Sequence, residues 1–286
     1  MASICVQETQ LLTPLPPPPP PFPHFEALEK LLNYRFKNRE LLEQAMTHGS
    51  WQQGSSSDSN KNYERLEFIG DSVLSMLIAR EMLTCYPELS PGPLTALRAA
   101  NVDTEKLGRV AMRHELYRYL RHRAPPLETQ VKDFKKAMKE YPTYSSGLID
   151  TPKFLADIVE SLIGAVSIDC SYCLDTVWKA FKELLEPVIR PDTYQKDPTS
   201  ELHEFCQKRG WKVQLKNTWS TDAKITVTIF GHYVASAGYA NRRETAQKRA
   251  AKAALDTLTE SVSLQELLDR EKEALDKAKQ GAEASA

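Results

Sequence analysis

Two stretches of the chain combine a helical run of apolar residues with carboxylates at helical spacing. The first, residues 62–80, reads NYERLEFIGDSVLSMLIAR, and its apolar run predicts a helix packed deep in a core. Glu64, Glu67 and Asp71 interrupt this helix at spacings of three and four, so they fall on one face. A carboxylate on an apolar helix is destabilising unless it reaches water, a cation or a metal ion.

The second stretch, residues 152–168, reads PKFLADIVESLIGAVSI and predicts another apolar helix, interrupted by Asp157 and Glu160. If the two helices cross with their acidic faces together, the carboxylate oxygens suit a hard divalent cation, and Mg²⁺ better than Zn²⁺. Neither His nor Cys accompanies them, which also disfavours zinc. The alternative is that the acids lie near helix ends and simply reach solvent.

Shorter helices surround these two. Residues 25–51 predict two helices, the second capped by Asn38. His48 follows the second helix and is expected to be structural, because no nucleophile or orienting acid is near it in sequence. Residues 102–120 and 172–190 predict further helices. Residues 118–139 are rich in basic side chains, which form either a solvated helix face or a contact surface for phosphates. These residues are Arg118, Arg121, Arg123, Lys132, Lys135, Lys136 and Lys139.

The pattern changes at residue 197. A helix capped by Asp197 is followed by three alternating segments, with Gly231-His232 as a tight turn, and then by a long Ala-rich helix with a basic start. This pattern predicts a small αβββα unit over residues 197–260. Residues 191–196 are a linker, residues 1–24 a disordered tail with a polyproline run, and residues 261–286 a charged, partly helical tail.

Composition places limits on compartment and partners. The 286 residues suffice for two domains, and the net charge of −1 does not by itself indicate a nucleic-acid binder. Residues 197–260, however, hold ten Lys and Arg against seven Asp and Glu. Five irregularly spaced Cys favour a reducing compartment. Cys170 and Cys173 form a single CxxC motif, which is either two unrelated thiols near a helix end or a pair used for zinc binding or redox chemistry. Without a membrane span or secretory signal, a nuclear or cytoplasmic protein with no membrane partner is expected.

Two of these motifs carry a family resemblance. ERLEFIGDSVL resembles the signature helix of ribonuclease III, and FLADIVESLIGAV resembles the second acidic helix of that family, in the same order. The resemblance implies an all-α ribonuclease III domain over residues 25–190 that cleaves double-stranded RNA. It also implies Mg²⁺, which Mn²⁺ can replace, held by four acidic side chains, with Glu64 at a less direct acidic position: Glu67, Asp71, Asp157 and Glu160.

Lys153 lies four residues before Asp157 and directly after Pro152. This Pro-Lys pair resembles Dicer-type domains, in which the lysine lies beside the scissile phosphate, and it suggests a eukaryotic, plant-like member of the family. The resemblance implies that Lys153 acts in catalysis with Asp71 and Glu160 by stabilising charge on the phosphate. The alternative is a surface ion pair between Lys153 and Asp157.

Residues 197–260 resemble the double-stranded-RNA-binding domain, which reads the shape of the duplex across its grooves. The resemblance implies RNA contacts by Glu201 and Arg243, and Arg242 and Lys248 are candidates to replace two further basic positions of that family. Glu244 and Gln247 stand at two positions where that family has basic residues, and the loop WSTDAK lacks the family's usual His. The fold is therefore better indicated than the affinity for RNA.

The predicted function is an Mg²⁺-dependent endoribonuclease that cuts double-stranded RNA into duplexes with 5′-phosphates and short 3′ overhangs, in RNA processing or small-RNA silencing. The resemblance implies a homodimer in which Phe68 inserts into the partner subunit. The alternative is a catalytically silent double-stranded-RNA-binding or assembly protein on the same fold, against which the intact set of four acids argues. An unrelated helical scaffold does not explain the second unit.

Overall fold

The fold is described from a computed structural model, which covers residues 25–52, 62–239 and 241–283. The predicted tail over residues 1–24, with its polyproline run, lies outside the described residues. Within those residues the apolar side chains form two separate cores. One core belongs to a helical unit (residues 25–189) and the other to an αβββα unit (residues 198–260) with a further helix beside it.

The helical unit is built from eight helices among the described residues. Short 3₁₀ turns occur at Gly49–Gln52 and Leu116–Tyr119. The helices are α1 Phe25–Leu31, α2 Arg39–Ala45, α3 Glu64–Cys85, α4 Pro91–Asn101, α5 Thr104–Arg113, α6 Pro125–Glu140, α7 Lys153–Asp169 and α8 Leu174–Phe181.

Helix α7 is the centre of this unit. Nearly all of its residues are buried, and it packs against α2, α3 and α5. Its two buried serines satisfy their hydroxyls on backbone carbonyls: Ser161 donates to Ala45 at 2.9 Å, and Ser167 to Ile163 at 2.6 Å. A helix surrounded on all sides explains why the sequence from residue 152 is almost uniformly apolar.

The crossing of α3 and α7 depends on two glycines. A Cβ atom on Gly70 would lie 1.8 Å from the carbonyl oxygen of Glu160, and one on Gly164 would lie 2.1 Å from that of Leu66. Both distances are far inside van der Waals contact, so neither position accepts a side chain without separating the helices. This backbone-to-backbone contact is what brings the acidic turns of the two helices together.

The αβββα unit has its three strands in one antiparallel sheet, in the order β1-β2-β3 among the described residues. Its hairpin turn consists of Phe230 and Gly231, both with positive φ, so His232 begins β3 and the turn lies one residue earlier than the sequence pattern indicates. The elements are α9 Pro198–Arg209, β1 Val213–Asn217, α10 Trp219–Asp222, β2 Lys224–Ile229, β3 His232–Gly238 and α11 Arg243–Glu260.

The segment expected to be a charged, partly helical tail forms a helix, α12, over Val262–Glu283. Leu268 on this helix is fully buried in the second core. The indole nitrogen of Trp211 donates a hydrogen bond to Asp269 at 2.9 Å. The start of the tail is therefore packed against the αβββα unit, which the sequence pattern did not indicate.

The predicted fold class, an all-α unit followed by a small α+β unit, is confirmed. Neither unit contains, in the part of the chain that the structure describes, a helix long and apolar enough to cross a bilayer.

Candidate active site

Three carboxylates from two helices converge where α3 and α7 cross. Glu67 on the first turn of α3 and Asp157 and Glu160 on α7 each offer an oxygen, and these oxygens all lie within 4.8 Å of one another. They line a cavity of about 730 Å³, which Tyr63, Phe68 and other side chains also border. Asp71 lines the same cavity, one turn along α3 from Glu67, but it is not part of the cluster of three.

Lys153 lies between the acidic turns of the two helices. Its ammonium is 2.5 Å from Glu67 Oε1 and 2.5 Å from Asp157 Oδ1, although its side chain is 70% exposed. Burial alone would lower the pKa of Lys153, but its hydrogen bonds to Asp157 and Glu67 raise that pKa above the ordinary value. The lysine is therefore a fixed positive charge in the cavity, paired with Asp157 and also with the carboxylate of the other helix.

Glu160 and Asp71 are in a different situation. Over residues 25–52, 62–239 and 241–283, neither carboxylate makes a hydrogen bond or an ion pair with another group. Burial, and next the charge of Asp71, raise the pKa of Glu160 to about 7. Burial likewise raises the pKa of Asp157 to about 6, against the effect of its hydrogen bond with Lys153.

These features fit a divalent cation. Five carboxylates and one ammonium line the cavity, which gives a formal charge of −4 when all are ionised. Such a concentration of negative charge is unfavourable without a cation: burial first, and the charges of neighbouring carboxylates after it, raise the pKa values of Asp157 and Glu160. All the charged donors are oxygens, which are the ligands that hard cations such as Mg²⁺ prefer.

Comparison with known proteins places this site in a family. A family model described as "Ribonuclease III domain" matches residues 64–171, which run from the start of α3 to just beyond α7. Ribonuclease 3-like protein 3 of Oryza sativa subsp. japonica is 48% identical over 238 residues, covering 82% of this chain and 79% of that protein. The chain belongs to the ribonuclease III family. It is an endoribonuclease of the ribonuclease III type, and its similarity to plant proteins confirms the plant-like character expected from its sequence.

Two further relatives extend the likeness. Ribonuclease 3-like protein 2 of Arabidopsis thaliana is 40% identical over 251 residues, covering 86% of this chain and 63% of that protein. Endoribonuclease Dicer homolog 1 of the same plant is 39% identical over 243 residues, which are 82% of this chain but 12% of that much longer protein. The match to a Dicer homolog agrees with the resemblance that the Pro152-Lys153 pair carries.

Tyr63 is a residue of the ribonuclease III site that the sequence pattern did not single out. It is 5% exposed, and its hydroxyl donates a hydrogen bond to Asp157 Oδ2 at 3.4 Å. Burial, and then the charges of Asp157 and Glu67, raise its pKa, so the phenol stays protonated and remains a donor. Tyr63 lies immediately before α3 in sequence, which places it near Glu64 and Glu67, but the helical periodicity of the acids does not indicate that it reaches Asp157.

His48 is closer to the site than its sequence surroundings suggest. Its ring lies 5.5 Å from that of Tyr63, and it borders a second cavity of about 740 Å³ together with Lys153 and Asp157. Burial lowers the pKa of His48, and its Nδ1 is 2.8 Å from the hydroxyl of Ser50. A neutral imidazole held by its own turn agrees with the structural role expected for this histidine.

The four residues expected to contact RNA in the αβββα unit lie in two environments. Glu201 on α9 and Arg243 at the start of α11 are exposed. Arg242 forms an ion pair of 3.4 Å with Asp150 of the helical unit, and Lys248 one of 3.1 Å with Asp197. Two of the four basic or acidic side chains are therefore engaged in ion pairs, although Arg242 is itself still exposed.

Phe68, expected at a dimer interface, is 78% exposed on α3. Met76 and Leu83 of the same helix are also exposed, at 54% and 63%. The three residues are eight and seven positions apart and lie within about 80° on the helix. They form an apolar stripe that starts at the acidic cavity between α3 and α7, which Phe68 borders.

Proposed function

We propose that this ribonuclease III hydrolyses phosphodiesters of double-stranded RNA with Mg²⁺ as cofactor, in RNA processing or small-RNA silencing. The observation that carries the proposal is the convergence of Glu67, Asp157 and Glu160 within 4.8 Å of one another, with Lys153 beside them. No nucleophilic side chain is needed for such a site, since water is the attacking group in metal-assisted hydrolysis.

Each residue of the site has a stated part in this proposal. Glu67, Asp71, Asp157 and Glu160 would hold the cation, with Mn²⁺ as a possible replacement. When bound, Mg²⁺ activates water and neutralises phosphate charge. Lys153 adds a positive charge for the phosphate oxygens, and Tyr63 fixes the orientation of Asp157. Hydrolysis breaks the bond between phosphorus and the 3′ oxygen, so the products carry 5′-phosphates, and staggered cuts leave short 3′ overhangs.

The αβββα unit is proposed to be a double-stranded-RNA-binding domain, spanning residues 197–260 after a linker at 191–196. Its element order, helix, three antiparallel strands and helix, supports this assignment. Glu201, Arg242, Arg243 and Lys248 are the proposed RNA contacts. Contacts of this kind are made to phosphates and 2′-hydroxyls, so they give affinity without sequence preference.

The direct test uses the full chain and a long duplex RNA, incubated with Mg²⁺, with Mn²⁺ and with a chelator. Cleavage with either metal and none in chelator is the expected result. Sequencing of the product ends should then show 5′-phosphates and 3′ overhangs. Binding without cleavage in both metals would instead support the silent RNA-binding or assembly protein.

The active form is proposed to be a homodimer joined through the stripe of Phe68, Met76 and Leu83. An exposed aromatic ring beside a catalytic cavity loses its contact with water when a second copy covers it. Covering Phe68 would also close that side of the cavity, because the ring lines it. The dimer and the groove for the duplex would thus be completed together.

Phe68→Ala is expected to weaken this dimer by ~2 kcal/mol per subunit, the approximate free energy of burying one phenylalanine side chain. Sedimentation of the wild-type chain should show a dimer, and the variant should dissociate at a higher concentration. Tyr233→Ala is the matched control, since Tyr233 is an exposed aromatic residue, at 63%, on β3. A wild-type chain that sediments as a monomer at micromolar concentration contradicts the proposed dimer.

A further inference from the structure

The basic start of α11 faces the helical unit of the same chain. Arg242 Nη1 lies 3.4 Å from Asp150 Oδ1. A Cβ atom built on Gly147 would be 2.7 Å from Lys248 Nζ, so the lysine side chain lies directly over that loop. Both are proposed RNA contacts, and each also pairs with a carboxylate near it in sequence or at the start of α9: Arg242 with Glu244 at 3.3 Å, and Lys248 with Asp197 at 3.1 Å.

Arg249, the residue after Lys248 on α11, makes the closest of these contacts. Its Nε donates a hydrogen bond of 2.7 Å to the carbonyl oxygen of Leu148. Its guanidinium lies 4.6 Å from the ring centre of Tyr239 and 5.9 Å from that of Tyr141, which belongs to the helical unit. A charged donor on a carbonyl, with aromatic rings at its faces, is more specific than a surface ion pair.

The character of this contact indicates that it can open. The two units have separate hydrophobic cores, and the contact between Arg242, Lys248, Arg249 and residues 141–150 is polar. Ion pairs of exposed groups are weak and are screened by salt. The phosphates of a duplex would offer the same guanidinium and ammonium groups a denser row of negative charge.

The contact also adjoins the catalytic groove. Asp150 lies three residues before Lys153, and both line the cavity of about 740 Å³ that Arg242 also lines. An RNA strand that reaches Lys153 therefore meets the Arg242–Asp150 pair. The contact between α11 and the helical unit therefore lies on the same surface that the RNA substrate would occupy.

We propose that Arg242 and Arg249 form a latch with Asp150 and the Leu148 carbonyl, with Lys248 lying over Gly147 beside them, and that duplex RNA must open this latch to use Arg242 and Lys248. The proposal rests on the proposed function, in which duplex RNA is the substrate. Because the docked form withholds these residues, the apparent affinity for RNA is the intrinsic affinity multiplied by the fraction of molecules in which the latch is open.

Two variants of the full chain with opposite changes in charge test the latch. Asp150→Asn removes a negative charge, and Arg249→Gln removes a positive one. Both should bind duplex RNA about three- to tenfold more tightly than the wild type, because each opens the latch. If only the net charge mattered, Arg249→Gln would lose a positive charge and would bind duplex RNA more weakly than the wild type.

Matched controls lie on α11 outside the contact. Lys252 and Asp256 are exposed and pair with each other at 2.7 Å. Lys252→Gln and Asp256→Asn therefore repeat the two charge changes without touching the latch. Binding is measured in chelator, where no cleavage occurs, and circular dichroism verifies folding. If Arg249→Gln does not fold, the comparison of Asp150→Asn with Asp256→Asn remains.

The proposal is overturned if Arg249→Gln binds no more tightly than Lys252→Gln, or if Asp150→Asn binds no more tightly than Asp256→Asn. Cleavage of the same duplex by the wild-type chain in Mg²⁺ is measured separately. A chain that does not cleave refutes the proposed function while the signs of the binding changes still decide the latch. A chain that cleaves but shows no latch effect refutes the latch alone.

Discussion

Glu160→Gln is expected to reduce cleavage of duplex RNA by about a hundred- to a thousandfold. The substitution keeps the shape of the side chain but removes one charged oxygen ligand from the cluster of Glu67, Asp157 and Glu160. Metal ions contribute several kcal/mol to catalysis of this kind, and each ~1.4 kcal/mol corresponds to a tenfold change in rate. Binding of RNA in chelator should tighten, because negative charge that faces the phosphates is removed.

The same variant should be more stable than the wild type in chelator. Burial and the charge of Asp71 raise the pKa of Glu160 from 4.5 to about 7, so the folded protein disfavours the ionised side chain. An acid whose pKa is raised in the folded state makes the protein less stable as the pH rises from 4.5 to about 7, and the full penalty applies above pH 7. Glutamine avoids the penalty, so unfolding at pH 8 should require about 1 to 2 kcal/mol more, after allowing for solvent in the cavity.

Thermal melting in chelator at pH 5 and pH 8, and cleavage in Mg²⁺, measure both effects. The gain in stability should be present at pH 8 and mostly absent at pH 5. Glu81→Gln is the matched control, since Glu81 is a carboxylate on α3 that pairs with Lys182 at 3.0 Å, outside the cavity. A Glu160→Gln variant that melts lower yet cleaves normally would falsify the metal assignment, because that is the behaviour of an acid paired with a buried cation.

Asp71→Asn examines the acid that the structure leaves outside the cluster of three. Asp71 is exposed, so its neutralisation should raise stability less than that of Glu160. If it is the fourth ligand, cleavage should fall as steeply as in Glu160→Gln. Normal cleavage by Asp71→Asn would limit the metal site to Glu67, Asp157 and Glu160.

Gly164→Ala is expected to lower the free energy of unfolding by about 3 kcal/mol or more, since overpacking between rigid backbones lies at the severe end of core substitutions. The added methyl group would lie 2.1 Å from the carbonyl oxygen of Leu66 and 2.9 Å from Ile69 Cγ2. Helices α3 and α7 must separate to accept it. Because Glu67 lies on one helix and Glu160 on the other, cleavage should fall even at temperatures where the variant is folded.

Denaturant unfolding followed by circular dichroism measures this loss. Gly92→Ala is the matched control, because a Cβ atom at Gly92, in the first turn of α4, meets no atom within 4 Å. That substitution should leave stability unchanged or slightly raised, since alanine is the better helix former. Equal denaturant midpoints for Gly164→Ala and the wild type would show that the α3–α7 crossing is not as close as described.

The local parts of the site could be predicted from the sequence. Spacings of three and four place Glu64, Glu67 and Asp71 on one face of a helix whatever the rest of the chain does. The pair Asp157 and Glu160 follows from the same rule. Alternating residues likewise predict the strands of the αβββα unit, and Asp197 does cap α9, accepting a hydrogen bond from the Ser200 amide.

The nonlocal parts could not be predicted in this way. No periodicity shows that Tyr63 reaches Asp157, that Leu268 of the presumed tail enters the second core, or that Arg249 binds the Leu148 carbonyl. In each case the partners are many residues apart in sequence. Their meeting depends on how whole elements pack, and the same residues on a differently packed surface would face water.

The sequence by itself determined which helices carry acids, which faces those acids occupy and the order of the two units, because these properties depend on neighbours within one or two turns. Only the tertiary structure decided which acids meet. Gly70 and Gly164 set the depth at which α3 and α7 cross, and that depth brings Glu67 to Glu160 while Asp71 stays outside the cluster. The physical reason is that a helix fixes the direction of a side chain locally, whereas the distance between side chains on two helices is set by the packing between them.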